Sequence, residues 1–147
     1  MNKHLKILQL NTNGIRNKSV ELQQLMTEEN IDIAVIQETK LHHSTKTSTI
    51  PNYSFTRHDR PIPASTKSKT NGGGLITYIK KDLPCTNTAS YTLPGVESQT
   101  ITVPLTKAKN LVITNLYLPQ RNATTSLQTE DHNITTLSLT LPTLQTH

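Results

Sequence analysis

Three polar side chains that follow two apolar segments could together bind a metal ion. Glu38 comes at the end of the run IAVIQE, and Asn11 and Asn13 come directly after KILQL. Carboxylate and amide oxygens suit hard cations such as Mg²⁺, which keeps several waters, so one carboxylate and a substrate phosphate can suffice. The residues also allow a second interpretation. Asn-x-Asn-Gly is a turn sequence, and Glu38 could simply pair with Lys40 or Arg16.

A tyrosine at the end of a later apolar segment is the next candidate for chemistry. In LVITNLYLP, Asn115 and Tyr117 fall on the same side of a predicted strand, just before Pro119. A phenol at a strand end could hydrogen-bond a phosphate oxygen or orient a nucleophilic water. Alternatively, the ring packs against its neighbours and only the hydroxyl meets solvent.

Positive charge is concentrated in the middle of the chain. The net charge is +5, and residues 40–81 contain eight Lys or Arg against one acid, Asp59. Arg57 and Arg60 bracket that acid, and Lys69 precedes three glycines. Guanidinium groups match phosphate geometry, and glycines let a backbone approach a ligand closely. The segment is therefore a candidate polyanion site, although a solvated basic loop would have the same composition.

Several other classes of site and location are disfavoured by the sequence. Cys85 is the only cysteine, which excludes an intrachain disulfide and a four-cysteine zinc site. No Ser–His–Asp arrangement is evident, and the three glycines are not followed by the Gly-Lys-Ser/Thr of a P-loop. The start of the chain lacks a signal-peptide core, and no stretch approaches membrane-spanning length. We expect an intracellular protein without a membrane partner.

The predicted secondary structure places the first candidates at one edge of a sheet. A strand at His4–Leu10, a helix capped by Ser19 and ending near Glu29, and a strand at Ile31–Gln37 form a βαβ unit. The two strands of such a unit are parallel, so their carboxyl ends lie at the same edge. That edge would hold the two asparagines and the glutamate together.

The remainder of the chain has the pattern of an antiparallel sheet and a final helix. Further strands are expected at Tyr53–Arg57, Leu75–Ile79, Ser98–Leu105 and Leu111–Leu116. From Ala123 onward, apolar residues recur at broadly helical spacing. Hydrophobic residues make up only 33% of the chain, which predicts a thin core and a marginal fold. We expect exposed apolar surface near Leu105, Leu111 and Ile113.

Five segments in this order resemble the endonuclease/exonuclease/phosphatase superfamily. The closest likeness is to the apurinic/apyrimidinic-endonuclease-like domain of non-LTR (LINE-type) retrotransposons. The segments are LNTNGIRNKSVELQQLM, IDIAVIQETKL, YSFTRHDRP, GGGLITYIKKDL and LVITNLYLP. The resemblance implies an α/β fold, the N-terminal part of a four-layer αββα sandwich (DNase I-like). Its mixed sheets would have a βαβ start and later antiparallel strands.

The resemblance also implies roles for individual residues. Glu38, helped by Asn11 and Asn13, would bind Mg²⁺, with Mn²⁺ as a possible substitute. Asn11, Glu38 and Tyr117 would form the catalytic group at the scissile phosphate of DNA. Other residues would support this site or the DNA backbone. These nucleic-acid-binding candidates are Thr39, Lys40, Arg57, Arg60, Lys69 and Asn115.

The implied function is Mg²⁺-dependent nicking of DNA for target-primed reverse transcription, in the nucleus. The superfamily's second half carries a Gly-Asp-x-Asn and a Ser-Asp-His element, and neither is present here. We therefore expect residues 1–147 to be a partial domain, truncated before its second catalytic half and inactive alone. Two alternatives remain open: a non-catalytic DNA-binding remnant, and a superfamily phosphatase of the phosphoinositide or sphingomyelin type.

Overall fold

The computed structural model describes residues 3–61, 72–93, 96–105, 109–118 and 134–141. Within these ranges lie one helix and eight strands: β1 (Lys3–Asn11), α1 (Ser19–Glu28), β2 (Ile33–Gln37), β3 (Tyr53–His58), β4 (Leu75–Lys80), β5 (Thr86–Leu93), β6 (Val96–Pro104), β7 (Asn110–Tyr117) and β8 (Ile134–Leu141). One sheet has the order β3-β4-β2-β1-β8, and the other has the order β5-β6-β7. No helix in the described ranges is long and apolar enough to cross a membrane.

The βαβ start predicted from the sequence is confirmed. β1 and β2 are parallel, and their register pairs Asn11 with Gln37. The helix between them ends before Asn30, which has a left-handed φ of +51°. The predicted capping role of Ser19 is wrong. The first helical hydrogen bond is accepted by the Lys18 carbonyl, so Lys18 takes the N-cap position, and no side chain caps the helix.

The predicted final helix is wrong where the structure describes it. Ile134–Leu141 is a strand that pairs antiparallel with β1 along its length. The sequence ITTLSLTL also fits a strand, because its last three leucines alternate and its threonines are β-branched. Pairing with β1 satisfies backbone groups that would otherwise form an open sheet edge, and this favours the strand over the helix. The rest of the predicted helix, residues 123–133 and 142–147, lies outside the described ranges.

Hydrophobic side chains fill both faces of the larger sheet. On one face, a core joins the sheet to the helix and its flanking loops, with Leu8, Ala34, Ile36, Ile76 and Tyr78 against Leu22 and Met26. On the other face, a second core joins the two sheets, with Leu5, Ile7, Ile33, Val35 and Ile79 against Ile101 and Val103. The described residues thus build three layers, helix, sheet and sheet. The predicted α/β class is confirmed, with a mixed first sheet and an antiparallel second one.

The predicted position of exposed apolar surface is wrong. Leu105, Leu111 and Ile113 are partly buried and pack against the core between the sheets. Val112 and Leu116 are exposed instead, because successive residues of a strand point to opposite faces. The apolar surface of β7 therefore lies on its outer face.

The space between the sheets changes from apolar to polar along the strands. The residue pairs of β6 and β7 run Val103–Leu111, Ile101–Ile113, Gln99–Asn115 and Glu97–Tyr117. The first two pairs belong to or pack against the hydrophobic core, and the last two lie towards the carboxyl end of β2. Gln99, Glu97 and Asn115 are nevertheless buried. Buried polar groups must find hydrogen-bond partners, so this end of the interior needs a network.

Asn115 is the centre of that network. Its Oδ1 accepts a hydrogen bond from Gln37 Nε2 at 2.7 Å, and its Nδ2 donates to the Ile36 and Ile76 carbonyls at 3.0 and 3.2 Å. Nearby, the Thr77 hydroxyl donates to Gln99 Oε1 at 2.7 Å. These bonds connect β7 and β6 of the small sheet to β2 and β4 of the large one. They fix the two sheets at the end where the candidate site residues lie.

Tyr78 should make the fold sensitive to high pH. Burial raises the pKa of this phenol from 10.0 to about 12, with Arg57 opposing the shift, and its hydroxyl donates to the Ser48 carbonyl at 2.9 Å. The unfolded phenol loses its proton at lower pH, so this stabilisation is complete below pH 10 and is lost as pH rises towards 12. We expect a Tyr78-dependent loss of about 2–3 kcal/mol of unfolding free energy across that window.

Urea unfolding followed by circular dichroism at a series of alkaline pH values measures this loss. Tyr78→Phe should flatten the decline relative to the unsubstituted protein, although it lowers stability at neutral pH through the lost hydrogen bond. Parallel declines in the two proteins would contradict the assignment.

Candidate active site

Four chain segments meet at the carboxyl-terminal edge of β1 and β2. Asn11 ends β1, Glu38 follows β2, Gly74 precedes β4, and Tyr117 ends β7. Because Asn11 is paired with Gln37, it lies one register position from Glu38. The Tyr117 hydroxyl donates a hydrogen bond to Glu38 Oε1, across a sequence separation of 79 residues. The structure therefore brings together the three residues predicted to be catalytic.

The backbone around Glu38 is held in an unusual conformation. Glu38 and Lys40 have φ values of +51° and +52°, which are uncommon outside glycine. The Glu38 carbonyl accepts from Gly14 N at 2.7 Å, and Lys40 N donates to the Gly73 carbonyl at 2.7 Å. These bonds to the loops on either side fix the left-handed conformation. They give the carboxylate a rigid mount at the sheet edge.

The two asparagines form the turn that their sequence also indicated. Asn13 N donates to Asn11 Oδ1 at 3.1 Å, and the Lys40 ammonium donates to Asn13 Oδ1. An amide oxygen has two lone pairs, so Asn11 keeps the capacity to bind a cation beside Glu38. A cation at Asn13 would first have to displace the ammonium. The turn and the metal-binding interpretation are therefore compatible at Asn11 and compete at Asn13.

Tyr117 is a protonated phenol across the physiological pH range. Burial is the largest cause of its raised pKa, and the hydrogen bond and negative charge of Glu38 raise it further. Arg60 opposes the shift, and its Cζ lies 5.9 Å from the centre of the tyrosine ring. Such a phenol acts as a hydrogen-bond donor and does not serve as a base. It can donate to a carboxylate or to a phosphate oxygen.

Glu97 is a residue of this site that the sequence reasoning missed. It is 1% exposed, and its Oε2 accepts from Arg60 Nε at 3.1 Å and Nη2 at 2.5 Å. Its Oε1 accepts from Gly74 N at 2.8 Å. The alternation of β6 carried a signal, because Glu97 shares its inward-facing phase with Ile101 and Val103. A carboxylate in a buried phase requires a partner.

The glycine triplet makes room for this ion pair and for Thr39. A Cβ on Gly73 would lie 2.4 Å from Glu97 Oε2 and 2.5 Å from Arg60 Cζ, and Gly73 has a φ of +68°. A Cβ on Gly74 would lie 2.4 Å from Thr39 Oγ1. The groups that approach these glycines closely are therefore side chains of the protein itself, and not a ligand.

Gly73→Ala should therefore destabilise the protein markedly. The methyl group meets a buried ion pair and strains a left-handed backbone, so we expect a loss of about 2–4 kcal/mol in unfolding free energy. Gly72→Ala is the matched control, since its Cβ would meet only Arg60 Nη1, at 3.1 Å. Urea unfolding of both variants measures the difference. Equal losses would contradict this explanation of the triplet.

The remaining nucleic-acid-binding candidates divide by burial. Thr39 and Asn115 are 0% and 1% exposed. The sequence left open whether they support the site or the DNA backbone, and their burial favours support of the site. Arg57 forms a bidentate pair with Asp59 at 2.7 and 2.8 Å and also donates to the His42 carbonyl, which ties it to the neighbouring loop.

Exposure separates Lys40 and Arg60 from these buried or paired candidates. Lys40 is exposed, and the Arg60 side chain is 32% exposed. Both therefore remain accessible to a ligand at the sheet edge. Lys69 lies outside the described residues.

The donor set of the site fits a hard divalent cation. Glu38 supplies a carboxylate and Asn11 an amide oxygen, and Mg²⁺ is commonly held by one or two carboxylates together with waters and phosphate oxygens. Within the described residues, no group of three or more His, Cys, Asp or Glu could hold a metal by itself.

Comparisons with known proteins agree with this architecture. The model of the Endonuclease/Exonuclease/phosphatase family matches residues 8–140. AP endonuclease LMAP from Leishmania major matches with a TM-score of 0.58 and 23% identity, covering 78% of this chain and 40% of that one. An endonuclease/exonuclease/phosphatase family protein from Leptotrichia buccalis C-1013-b matches with a TM-score of 0.56 and 13% identity, covering 81% and 57%.

These structural matches show the fold, which is the predicted DNase I-like one. The chain spans 40% and 57% of the lengths of the two matched structures. No curated protein is significantly similar to it in sequence.

Proposed function

Because the chain belongs to the endonuclease/exonuclease/phosphatase family, we propose that it forms the metal- and phosphate-binding part of a Mg²⁺-dependent DNA endonuclease. Enzymes of this family generally use divalent metal ions. The observation that carries the proposal is the contact between Tyr117 and Glu38 beside Asn11. It joins a carboxylate, an amide and a neutral phenol at one sheet edge, a set that could hold a metal ion and a phosphate side by side.

Each residue of the edge has a part in this proposal. Glu38 and Asn11 would hold Mg²⁺, with Mn²⁺ able to replace it and Asn13 assisting once released from Lys40. When bound, the ion would supply a Lewis acid for the phosphate and stabilise the leaving oxygen. Tyr117, a neutral phenol with one O–H donor, would turn its hydrogen bond from Glu38 to a phosphate oxygen. Arg60 and Lys40 contact the phosphate backbone from the solvent side.

The proposed substrate is DNA. The basic stretch of residues 40–81 favours a polyanion, and one of the matched structures is an AP endonuclease. Affinity that depends on phosphate contacts falls steeply with salt concentration. We expect DNA binding by this chain to show that dependence, and lipid phosphates to compete weakly.

The biological setting is part of the same proposal. The segments that resemble non-LTR retrotransposon endonucleases, above all the Arg-His-Asp-Arg element followed by Gly-Gly-Gly, support nicking for target-primed reverse transcription in the nucleus. The Gly-Asp-x-Asn and Ser-Asp-His elements would supply the base and the histidine. Loss of a general base alone costs about 10²–10⁴-fold in rate. We therefore propose that residues 1–147 bind the cation and DNA but need those elements to nick.

A plasmid-nicking assay tests the proposed function. A longer protein that carries this chain with the two later elements should convert supercoiled plasmid to nicked circles in Mg²⁺. EDTA should abolish the reaction, and a polymerase should extend the 3′ ends. Parallel assays with phosphoinositide and sphingomyelin test the phosphatase alternative. Hydrolysis of these lipids without nicking would overturn the proposal, and DNA binding without nicking would favour a non-catalytic remnant.

A further inference from the structure

The ion pair between Arg60 and Glu97 runs from the interior of the protein to its surface. Glu97 is 1% exposed, whereas the Arg60 side chain is 32% exposed. The carboxylate thus faces the interior and the guanidinium extends to solvent. Because Oε1 of Glu97 also accepts from Gly74 N at 2.8 Å, the carboxylate is anchored to the backbone at the start of β4. The pair is fixed at its buried end and accessible at its charged outer end.

This accessible end lies beside the candidate active site. Glu97 is the register partner of Tyr117 on the neighbouring strand, and Arg60 Cζ lies 5.9 Å from the Tyr117 ring centre. Tyr117 in turn donates to Glu38. Hydrogen bonds therefore connect the β4 backbone to Glu97 and Arg60, and Tyr117 to the Glu38 carboxylate. A cation–π contact between Arg60 and the Tyr117 ring joins the two parts.

An arginine held in this way is suited to phosphate recognition. A guanidinium presents its N–H donors in a planar fork that matches phosphate oxygens, and a fork that is already ordered loses less entropy on binding. Glu97 engages one side of the fork, through Nε and Nη2. Because the Glu97 carboxylate is buried, its negative charge lies away from the solvent side of Arg60, from which a phosphate would approach.

We propose that Glu97 is a positioning residue for phosphate recognition, holding Arg60 against Tyr117 so that the guanidinium meets a DNA phosphate next to Glu38. This inference rests on the proposed function and adds a residue that the resemblance did not identify. Glu97 itself does not touch the substrate. It acts through Arg60, and its effect on DNA binding exists only while Arg60 is present.

A double-mutant cycle on DNA affinity separates positioning from a general structural role. Arg60→Gln should weaken binding of a fluorescent DNA duplex by the chain about tenfold or more, as expected for loss of a charged hydrogen bond. Glu97→Gln keeps an oxygen for Gly74 N but loses the charge that orders Arg60, and should weaken binding by a similar factor. The double variant should bind no more weakly than Arg60→Gln alone.

Several outcomes would overturn the inference. If Glu97→Gln weakens binding equally with and without Arg60, its role is structural only. If Glu97→Gln leaves affinity unchanged, Glu97 has no role in DNA binding, and if it raises affinity, the carboxylate merely repels DNA. Glu21→Gln, an exposed position in the first turn of α1, is the matched control and should leave affinity unchanged. Circular dichroism confirms folding. If Arg60→Gln alone unfolds, the double variant is compared with Glu97→Gln, whose affinity it should match.

A second measurement detects the ion pair in the absence of DNA. The Arg60 Nε–H signal in the nitrogen-15 spectrum should exchange slowly with water and should lose this protection in Glu97→Gln. Equal exchange in both proteins would overturn the positioning role. Failure of the unsubstituted chain to bind duplex DNA in a salt-dependent way would overturn the proposed function together with this inference. Salt-dependent DNA binding with additive substitutions would overturn the inference alone.

Discussion

Glu38→Gln should reduce Mg²⁺-dependent nicking at least about a thousandfold in a longer protein that carries the later elements, which corresponds to about 4 kcal/mol of transition-state stabilisation. The substitution keeps the shape of the side chain and an oxygen that can accept the Tyr117 hydrogen bond. It removes the negative charge on which cation binding depends. DNA affinity should stay unchanged, because the contacts to DNA are assigned to the basic residues.

The measurements are a plasmid-nicking time course and a DNA-binding titration on the same preparations. Glu21→Gln, which removes a carboxylate from the exposed surface of α1, should nick at the unsubstituted rate. Nicking retained by Glu38→Gln would remove Glu38 from the cation site. A parallel loss of DNA binding would show that the carboxylate supports the DNA surface instead.

Asn115→Leu should lower the free energy of unfolding by about 2–4 kcal/mol. Leucine branches at Cγ as asparagine does, but it is larger and can neither accept from Gln37 Nε2 nor donate to the Ile36 and Ile76 carbonyls. Removal of Asn115 leaves Gln37 Nε2 with only a longer bond, 3.3 Å, to the Val35 carbonyl. The loss of the shorter buried bonds exceeds the gain from added apolar surface. The two sheets would lose their connection at the end that carries the site.

Asn110→Leu is the control for this prediction, because Asn110 opens the same strand and is exposed. Its effect should stay within about 0.5 kcal/mol. Urea unfolding followed by far-ultraviolet circular dichroism suits a chain without tryptophan. Loss of the folded signal before urea is added would agree with the prediction for Asn115→Leu. An unfolding curve like that of Asn110→Leu would show that the polar network contributes little.

The ligand end of the site was predictable because it depends on local rules. The apolar runs of β1 and β2, separated by one amphipathic helix, determine a parallel pair whose carboxyl ends meet. Glu38 and Asn11 follow directly from that placement. Tyr117 required more, since its contact with Glu38 spans 79 residues and two sheets. The strand-end pattern made Tyr117 a candidate, and the resemblance to a known family assigned it to the same site as Glu38.

The parts that the sequence failed to predict depend on distant partners. Glu97 becomes a site residue because Arg60, 37 residues away, pairs with it over Gly73. β8 is a strand because β1 offers it an edge, although its leucines also allow a helix. β5, TNTASYTL, has apolar alternation only in its second half, at Ala89, Tyr91 and Leu93, and was not expected as a strand. In each case tertiary pairing decides an outcome that local propensity leaves open.

Arg57 and Arg60 show how this limit affects functional assignment. Both lie in the same basic segment and were assigned the same role. Arg57 is taken up by Asp59, two residues away, and by loop carbonyls, whereas Arg60 is directed to the sheet edge by a carboxylate from β6. The charge of the segment is visible in the sequence. Which arginine faces a ligand is decided by the second sheet.

The most direct test of the central claim, that Glu38 and Asn11 bind a divalent cation, is an NMR titration of the chain with Mn²⁺. Paramagnetic broadening should affect the amide signals of Asn11, Glu38 and Tyr117 at the lowest Mn²⁺ concentrations, and Mg²⁺ in excess should reverse it. Glu38→Gln should abolish this local broadening. Broadening centred elsewhere in the fold, or unchanged by Glu38→Gln, would contradict the assignment of the site.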